Sequence, residues 1–220
     1  MGAAWTGPDL WNLNLVRMNA TRPRPLRDPA PMLAHALREW QEHHPEHGAH
    51  HGDFWLFGYG SLIWRPDFDH TERRMARVRG WHRALKMWSR INRGTVEQPG
   101  LVFALLSGGS CHGVVYRIAR AQAPATLAQL WQREMATGVY DPRWLRCDTP
   151  QGPVRALAFT LSRRSPNYTG TLSAGQYEHI FRHAHGIYGS TRDYARQTLD
   201  SLRAHGIHDQ ALEALLKHAP

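Results

Sequence analysis

Residues 54–64 read FWLFGYGSLIW, and this stretch limits the possible folds more than any other part of the chain. Its first four residues are apolar and aromatic with no polar break, the pattern of a buried strand. Glycine, tyrosine, glycine and serine follow in succession. Two glycines around an aromatic residue weaken a strand, so the chain must gain something from turning there.

The segments downstream extend the β pattern. MARVRGWHRALKMW, GLVFALL, CHGVVYRI and VRALAFTL are rich in branched, aliphatic and aromatic residues and bounded by turn residues. GLVFALL and CHGVVYRI flank SGGS, a loop of hairpin length, so a hairpin is expected at that point. A helix is predicted to open near Pro124, run through ATLAQLWQREMAT and stop at Gly138. The last fifty or so residues read as helical. Ser173 and Gln176 have capping-box spacing, and Ser190 with Asp193 starts another helix that Gly206 can close. Strands first, with helices around and after them, predict an α+β domain built on a small closed barrel.

Residues 1–52 differ in kind. They hold the proline cluster PRPLRDPAP, a short helical pattern around Pro31 to Gln41, and the run HHPEHGAHHG. They are expected to be a partly irregular Pro- and His-rich extension, with the folded domain spanning 53–220. Imidazole is a common zinc ligand, but Pro45 interrupts any helix that would align His43 with His47. No cysteine or carboxylate stands at a ligand spacing, so a solvated linker without metal is the expectation.

The formal charge of +9 raises the question of an acidic partner. RPRPLR (22–27) and ERRMARVRG (72–80) are the densest basic stretches, and neither carries a nucleic-acid motif. Solubility and a basic pocket for a small anion are expected instead of nucleic acid. Cys111 and Cys147 form no CxxC pair and cannot build a disulfide framework. No apolar run approaches the roughly 20 residues of a membrane span, and the first residues lack a signal-peptide pattern. A reduced, cytoplasmic protein without a membrane partner is expected.

The glycine loop fails three familiar templates on named positions. A GxSxG elbow needs glycines where Tyr59 and Ile63 stand, so Ser61 is a poor nucleophile. A GxGxxG fingerprint beginning at Gly58 needs a small residue at Ile63, and the chain has no Gly-Lys-Ser/Thr for a P-loop. What remains is a turn whose N–H groups converge on a carboxylate or oxyanion, with the Ser61 hydroxyl as a further donor. A tight strand-end turn without ligand is the alternative.

The helix supplies a second candidate. Leu127, Leu130 and Trp131 follow i, i+3, i+4 spacing, and the next position on that face is Glu134. Burial there would raise its pKa and make a carboxylate basic enough to take a proton near neutrality. The alternative is a glutamate at the edge of the face, paired with Arg133 or another arginine.

Taken together, FGYGSLIW and QLWQREMATGVYDPRW closely resemble the ChaC-type γ-glutamylcyclotransferases, with the similarity running from about Phe54 to about Ala204. RPDF, RVRGWHRA, QPGLVFAL, GVVYR and SPNYTG contribute to it. The resemblance implies the γ-glutamylcyclotransferase-like small mixed barrel with flanking helices. It also implies cleavage of glutathione to 5-oxoproline and cysteinyl-glycine with no cofactor or metal. It puts the substrate loop on Gly58, Tyr59, Gly60, Ser61, Leu62 and Ile63, and the general base on Glu134. Asn92, Phe159 and Thr191 depart from the family pattern (His, Tyr and Asn in some relatives) and are expected in the pocket wall, where they bear on substrate preference. Turnover of other γ-glutamyl amino acids or γ-glutamylamines, and a non-catalytic binding protein on the same fold, are the alternatives. Oligomeric state stays open, with a monomer compatible. Since no matched motif precedes Phe54, a chain starting near Gly52 is expected to fold and keep most of its activity.

Overall fold

The structure, a computed structural model, describes residues 27–43, 52–135 and 137–219. The histidines at 44, 47, 50 and 51 and most of the RPRPLR stretch lie outside the described residues.

Strand β1 (Phe54–Gly58) is flanked by strands on both sides. It pairs antiparallel with β3 (Gly100–Ile118), Phe54 opposite Ile118, and parallel with β5 (Val154–Thr160), Leu56 opposite Leu157. β2 (Glu72–Ser89) runs antiparallel along β3, and β4 (Asp141–Asp148) joins β2 to β5. The order β1-β3-β2-β4-β5 closes into a barrel, so no strand of it keeps a free edge. Burial on both faces accounts for the unbroken apolar run of β1. Phe54 and Leu56 join one apolar cluster with helices α1 (Pro29–His43) and α2 (Ala123–Glu134), while Phe57 joins another with α3 (Ala174–His183) and α4 (Thr191–Ala204). The α+β barrel with flanking helices agrees with the sequence reading.

The expected hairpin at SGGS is absent. Residues 107–110 lie inside one continuous β3, whose two halves both pair with β2. Ser110 faces Arg79 and Ser107 faces Trp81, with a register shift between them. Gly80 on β2 and Gly108 and Gly109 on β3 take φ values of +78°, +96° and +73° at that level. These left-handed glycines make a bulge that bends the ribbon instead of reversing it. In sequence the two look alike, because a glycine pair that can reverse a chain can also kink it.

β4 has no clear signature in the sequence, because DPRWLRCD opens with Asp-Pro and alternates poorly. α2 does carry proline in its first turn, but it ends at Glu134 and does not continue to Gly138. Gly138, at φ +64°, closes the following turn with its N–H on the Met135 carbonyl at 2.9 Å. Toward the C-terminus, Ser173 and Gln176 form the full capping box and Ser190 caps α4 through the Asp193 N–H. A small β6–β7 ladder (His185–Gly186 with Gly189–Ser190) lies between α3 and α4, and α5 (Gln210–Leu216) follows.

The N-terminal segment is not a loose appendage over 27–43. Ala36 and Trp40 are buried, and the Pro29 carbonyl accepts the Trp131 indole N–H at 2.9 Å. Glu39 pairs with Arg155 at 2.8 Å, and Arg27 pairs with Asp141. α1 therefore buttresses the helix that ends in Glu134, and the expectation of a dispensable leader is revised for these residues.

Candidate active site

The loop after β1 is shaped by what crowds it. A Cβ on Gly60 would stand 3.1 Å from the Tyr194 hydroxyl, and one on Gly58 would stand 3.0 Å from Leu62 Cβ. Gly60 has φ −131°, so closeness of neighbours, and not a left-handed backbone, calls for glycine there. Ser61–Ile63 form a 3-10 turn in which the Ile63 N–H returns to the Gly60 carbonyl at 3.0 Å. Leu62 and Ile63 point their side chains into the core, and their carbonyls accept the Tyr116 hydroxyl at 2.8 and 3.2 Å. They can meet a ligand only through backbone. Ser61 is the loop residue with a polar side chain facing α2.

Glu134 ends α2 with its side chain 17% exposed. Burial pushes its carboxyl above the usual range, against the smaller opposing pull of Arg133. The carboxylate is also paired, with Arg133 Nε 3.2 Å from Glu134 Oε1. The same guanidinium donates to Ser61 Oγ at 3.1 Å and to the Arg65 and Pro66 carbonyls at 2.8 and 3.2 Å. Asp67 lies 3.3 Å away. Arg133 thus ties the base candidate to the loop candidate. Because Ser61 Oγ accepts from Arg133, its own proton remains available for a ligand.

Three buried tyrosines, Tyr59, Tyr140 and Tyr194, feel the charge of the carboxylate. The Tyr140 hydroxyl bonds to that of Tyr59, which donates to the Phe159 carbonyl at 2.7 Å. Burial, and next the negative charge of Glu134, hold the Tyr59 phenol well above its ordinary pKa. Burial, with a further push from Glu134, takes Tyr194 up to about 12. All three therefore stay protonated. On the other side of the loop, Arg83 donates to the Tyr59 carbonyl at 3.0 Å and pairs with Asp209 at 2.5 Å. Asp209 also caps α5 through the Leu212 N–H.

Sequence reasoning missed Arg133 as a bridge, Arg83 as the loop's anchor, and the tyrosines at 140 and 194. Their contacts with the loop span 24 residues of chain or more, and no local pattern announces them. Two of the three expected wall positions are buried. Thr191 is fully buried, accepting from the Leu101 N–H at 2.9 Å and bonding the Arg93 carbonyl at 3.3 Å, so it ties the framework together. Phe159 is buried against Trp131 and Tyr140. Asn92 is exposed, its carbonyl accepting the Tyr188 N–H. Cys111 and Cys147 are buried with raised pKa, unlike a nucleophilic thiol. Among the described residues, no three His, Cys, Asp or Glu side chains gather as metal ligands.

Residues 54–219 match the sequence profile described as ChaC-like protein. The chain belongs to the ChaC-like family. This ChaC-like chain is 37% identical over 166 residues to the glutathione-specific gamma-glutamylcyclotransferase of Escherichia coli (strain K12), covering 75% of this chain and 72% of that one. It is 31% identical over 201 residues to glutathione-specific gamma-glutamylcyclotransferase 1 of Rattus norvegicus, covering 88% and 86%. The crystal structure of the yeast gamma-glutamyl cyclotransferase specific to glutathione superposes with a TM-score of 0.69 at 21% identity, covering 76% of the ChaC-like chain and 95% of the yeast one. At that identity the shared property is the fold.

Proposed function

We propose that this ChaC-like protein is a glutathione-cleaving γ-glutamylcyclotransferase, a lyase that releases 5-oxoproline and cysteinyl-glycine. The relatives that span most of the chain are named for that activity. The observation that carries the residue assignment is a buried glutamate of raised pKa joined through one guanidinium to the serine of the glycine loop.

In this reading the α-amine of the γ-glutamyl group attacks its own γ-carbonyl carbon and closes a five-membered ring. Nucleophile and electrophile share one molecule, so holding the curled conformer supplies much of the acceleration. Glu134 takes a proton from the α-ammonium and returns it to the departing amide nitrogen. Its raised pKa suits both steps, since a base too weak could not accept and one too strong could not return the proton. Gly58, Tyr59, Gly60 and Ser61, with the backbone of Leu62 and Ile63, fix the γ-glutamyl end, and the Ser61 hydroxyl donates to it. Residues 53–220 form the catalytic domain, with 1–52 as an extension whose helix docks on it. No helix among the described residues is long and apolar enough to cross a membrane. A reducing cytoplasm suits the two free cysteines.

Incubating the protein with glutathione and measuring 5-oxoproline tests the proposal. Release that Glu134→Gln suppresses supports it. A wild-type protein that releases 5-oxoproline from γ-glutamyl-alanine but not from glutathione would overturn the substrate.

A further inference from the structure

Arg93 lies in the loop between β2 and β3, and the residue is 8% exposed. Its backbone is wired in place, the N–H donating to Ser89 Oγ at 3.0 Å and the carbonyl bonded by the Thr191 hydroxyl. The guanidinium lies over the Tyr194 ring, 4.9 Å from its centroid, and Nη1 donates to the Tyr188 carbonyl. Among the described residues no carboxylate pairs with it. Asp193 lends it some negative field but accepts the Ser190 hydroxyl at 2.7 Å and lies 3.9 Å from Arg192. By contrast Arg65, across the Tyr188 ring, is paired with Asp67 at 2.6 Å. A guanidinium stays charged in a protein and offers five donors, of which one carbonyl satisfies one. A cation so placed and so little paired lacks an anion.

Tyr194 locates that missing anion relative to the chemistry. Its hydroxyl abuts Gly60 and feels Glu134 as well as Arg93 and Arg133. Arg93 lies over this ring, 4.9 Å from its centroid, yet Arg133 and not Arg93 is the cation that acts on Glu134. The γ-glutamyl amine must reach Glu134, and its α-carboxylate sits on the same carbon, so both belong at the loop. A cation that does not act on the base meets a carboxylate farther along the peptide. Resting on the reading of Glu134 as the base, we propose that Arg93 binds the C-terminal carboxylate of the substrate. It thereby sets a preference for γ-glutamyl peptides with a free acid at tripeptide length over those with a neutral end.

Glutathione and its C-terminal glycine amide, nearly the same shape without the terminal charge, are the probes. Wild-type protein should show a KM for the amide roughly 10- to 100-fold above that for glutathione, with similar kcat, the scale of one charged hydrogen-bonded contact. Arg93→Gln should raise the KM for glutathione to that of the amide and leave the amide unchanged, while Arg93→Lys recovers part of the difference. An Arg93→Gln enzyme that still discriminates acid from amide overturns the assignment. If that variant does not fold, equal KM values for the two probes in the wild type overturn it instead. Calorimetry with both probes in the Glu134→Gln background separates this proposal from the reading beneath it. Preference for the acid without any 5-oxoproline release by the wild type would sink the cyclotransferase and leave Arg93 as a carboxylate receptor. Equal binding of the two would sink Arg93 whatever the activity.

Discussion

Glu134 is held where its charge is costly. For a carboxyl whose folded pKa is raised, the sign of the linkage is opposite to that of an ordinary salt-bridged acid. Below about the ordinary value of 4.5 both folded and unfolded states are protonated, and the site costs nothing. As pH rises the unfolded chain ionises first, so stability falls until the raised folded pKa is passed. Glu134→Gln should therefore raise Tm at neutral pH, and the gain should vanish near pH 4, which thermal melts at the two pH values will read. The same variant should bind glutathione yet lose roughly 100-fold or more in turnover, the scale of a lost general base. In the wild type, the acid limb of the kcat profile should lie above the range of an exposed glutamate. Ser61→Ala is milder. It removes one acceptor of Arg133 and one donor to substrate, together worth roughly 1–3 kcal/mol, so turnover should fall by about 10- to 100-fold without being abolished. An acyl-enzyme detected by mass spectrometry would instead make Ser61 a nucleophile.

Among the elements, α1 and the β2–β3 ribbon decide most. α1 buries Trp40 and takes the Trp131 indole N–H, so its removal uncovers the helix that carries Glu134. Burial of one such large side chain is worth about 2–3 kcal/mol. A chain beginning at Gly52 should melt several degrees below one beginning at Arg27 and show lower turnover; identical melts would mean that α1 contributes nothing. The bulge makes a different demand. Gly108 has φ +96°, and a Cβ added there would find no atom within 4 Å, so Gly108→Ala meets no steric neighbour. It should nevertheless cost about 1–2 kcal/mol, the ordinary penalty of a left-handed backbone with a Cβ, measurable by urea denaturation.

At the scale of the whole molecule, a buried ion pair helps to lock the C-terminal helices to the glycine loop. The Arg83 side chain is 4% exposed and that of Asp209 is 16% exposed, and Arg83 also holds the Tyr59 carbonyl. Asp209→Asn would leave a buried guanidinium without its counter-charge. That should cost roughly 3–5 kcal/mol, with little relief from added salt because a buried pair is poorly screened. Melts at low and high ionic strength, paired with turnover, will show whether stability and loop geometry fall together. Elsewhere, two of the arginines of 72–80 are ion-paired, Arg74 with Glu72 and Arg79 with Asp148.

Sequence alone determined what nearest neighbours along the chain control. The apolar run of β1, the proline in the first turn of α2, the capping box of α3, the cap of α4, and the place of Glu134 on an apolar helical face were all legible, because periodicity and capping are local. The glycines of the loop and the glutamate of the helix were legible one at a time. Their joining through Arg133 was not, since one guanidinium reaching five groups leaves no trace in spacing. Nor could the sequence tell a reversal from a kink at SGGS: a left-handed glycine serves either, and only the pairing of both halves of β3 with β2 chooses. The burial that raises the Glu134 pKa was likewise decided by tertiary structure. Desolvation depends on every element packed around a group, and those elements come together only when the barrel closes.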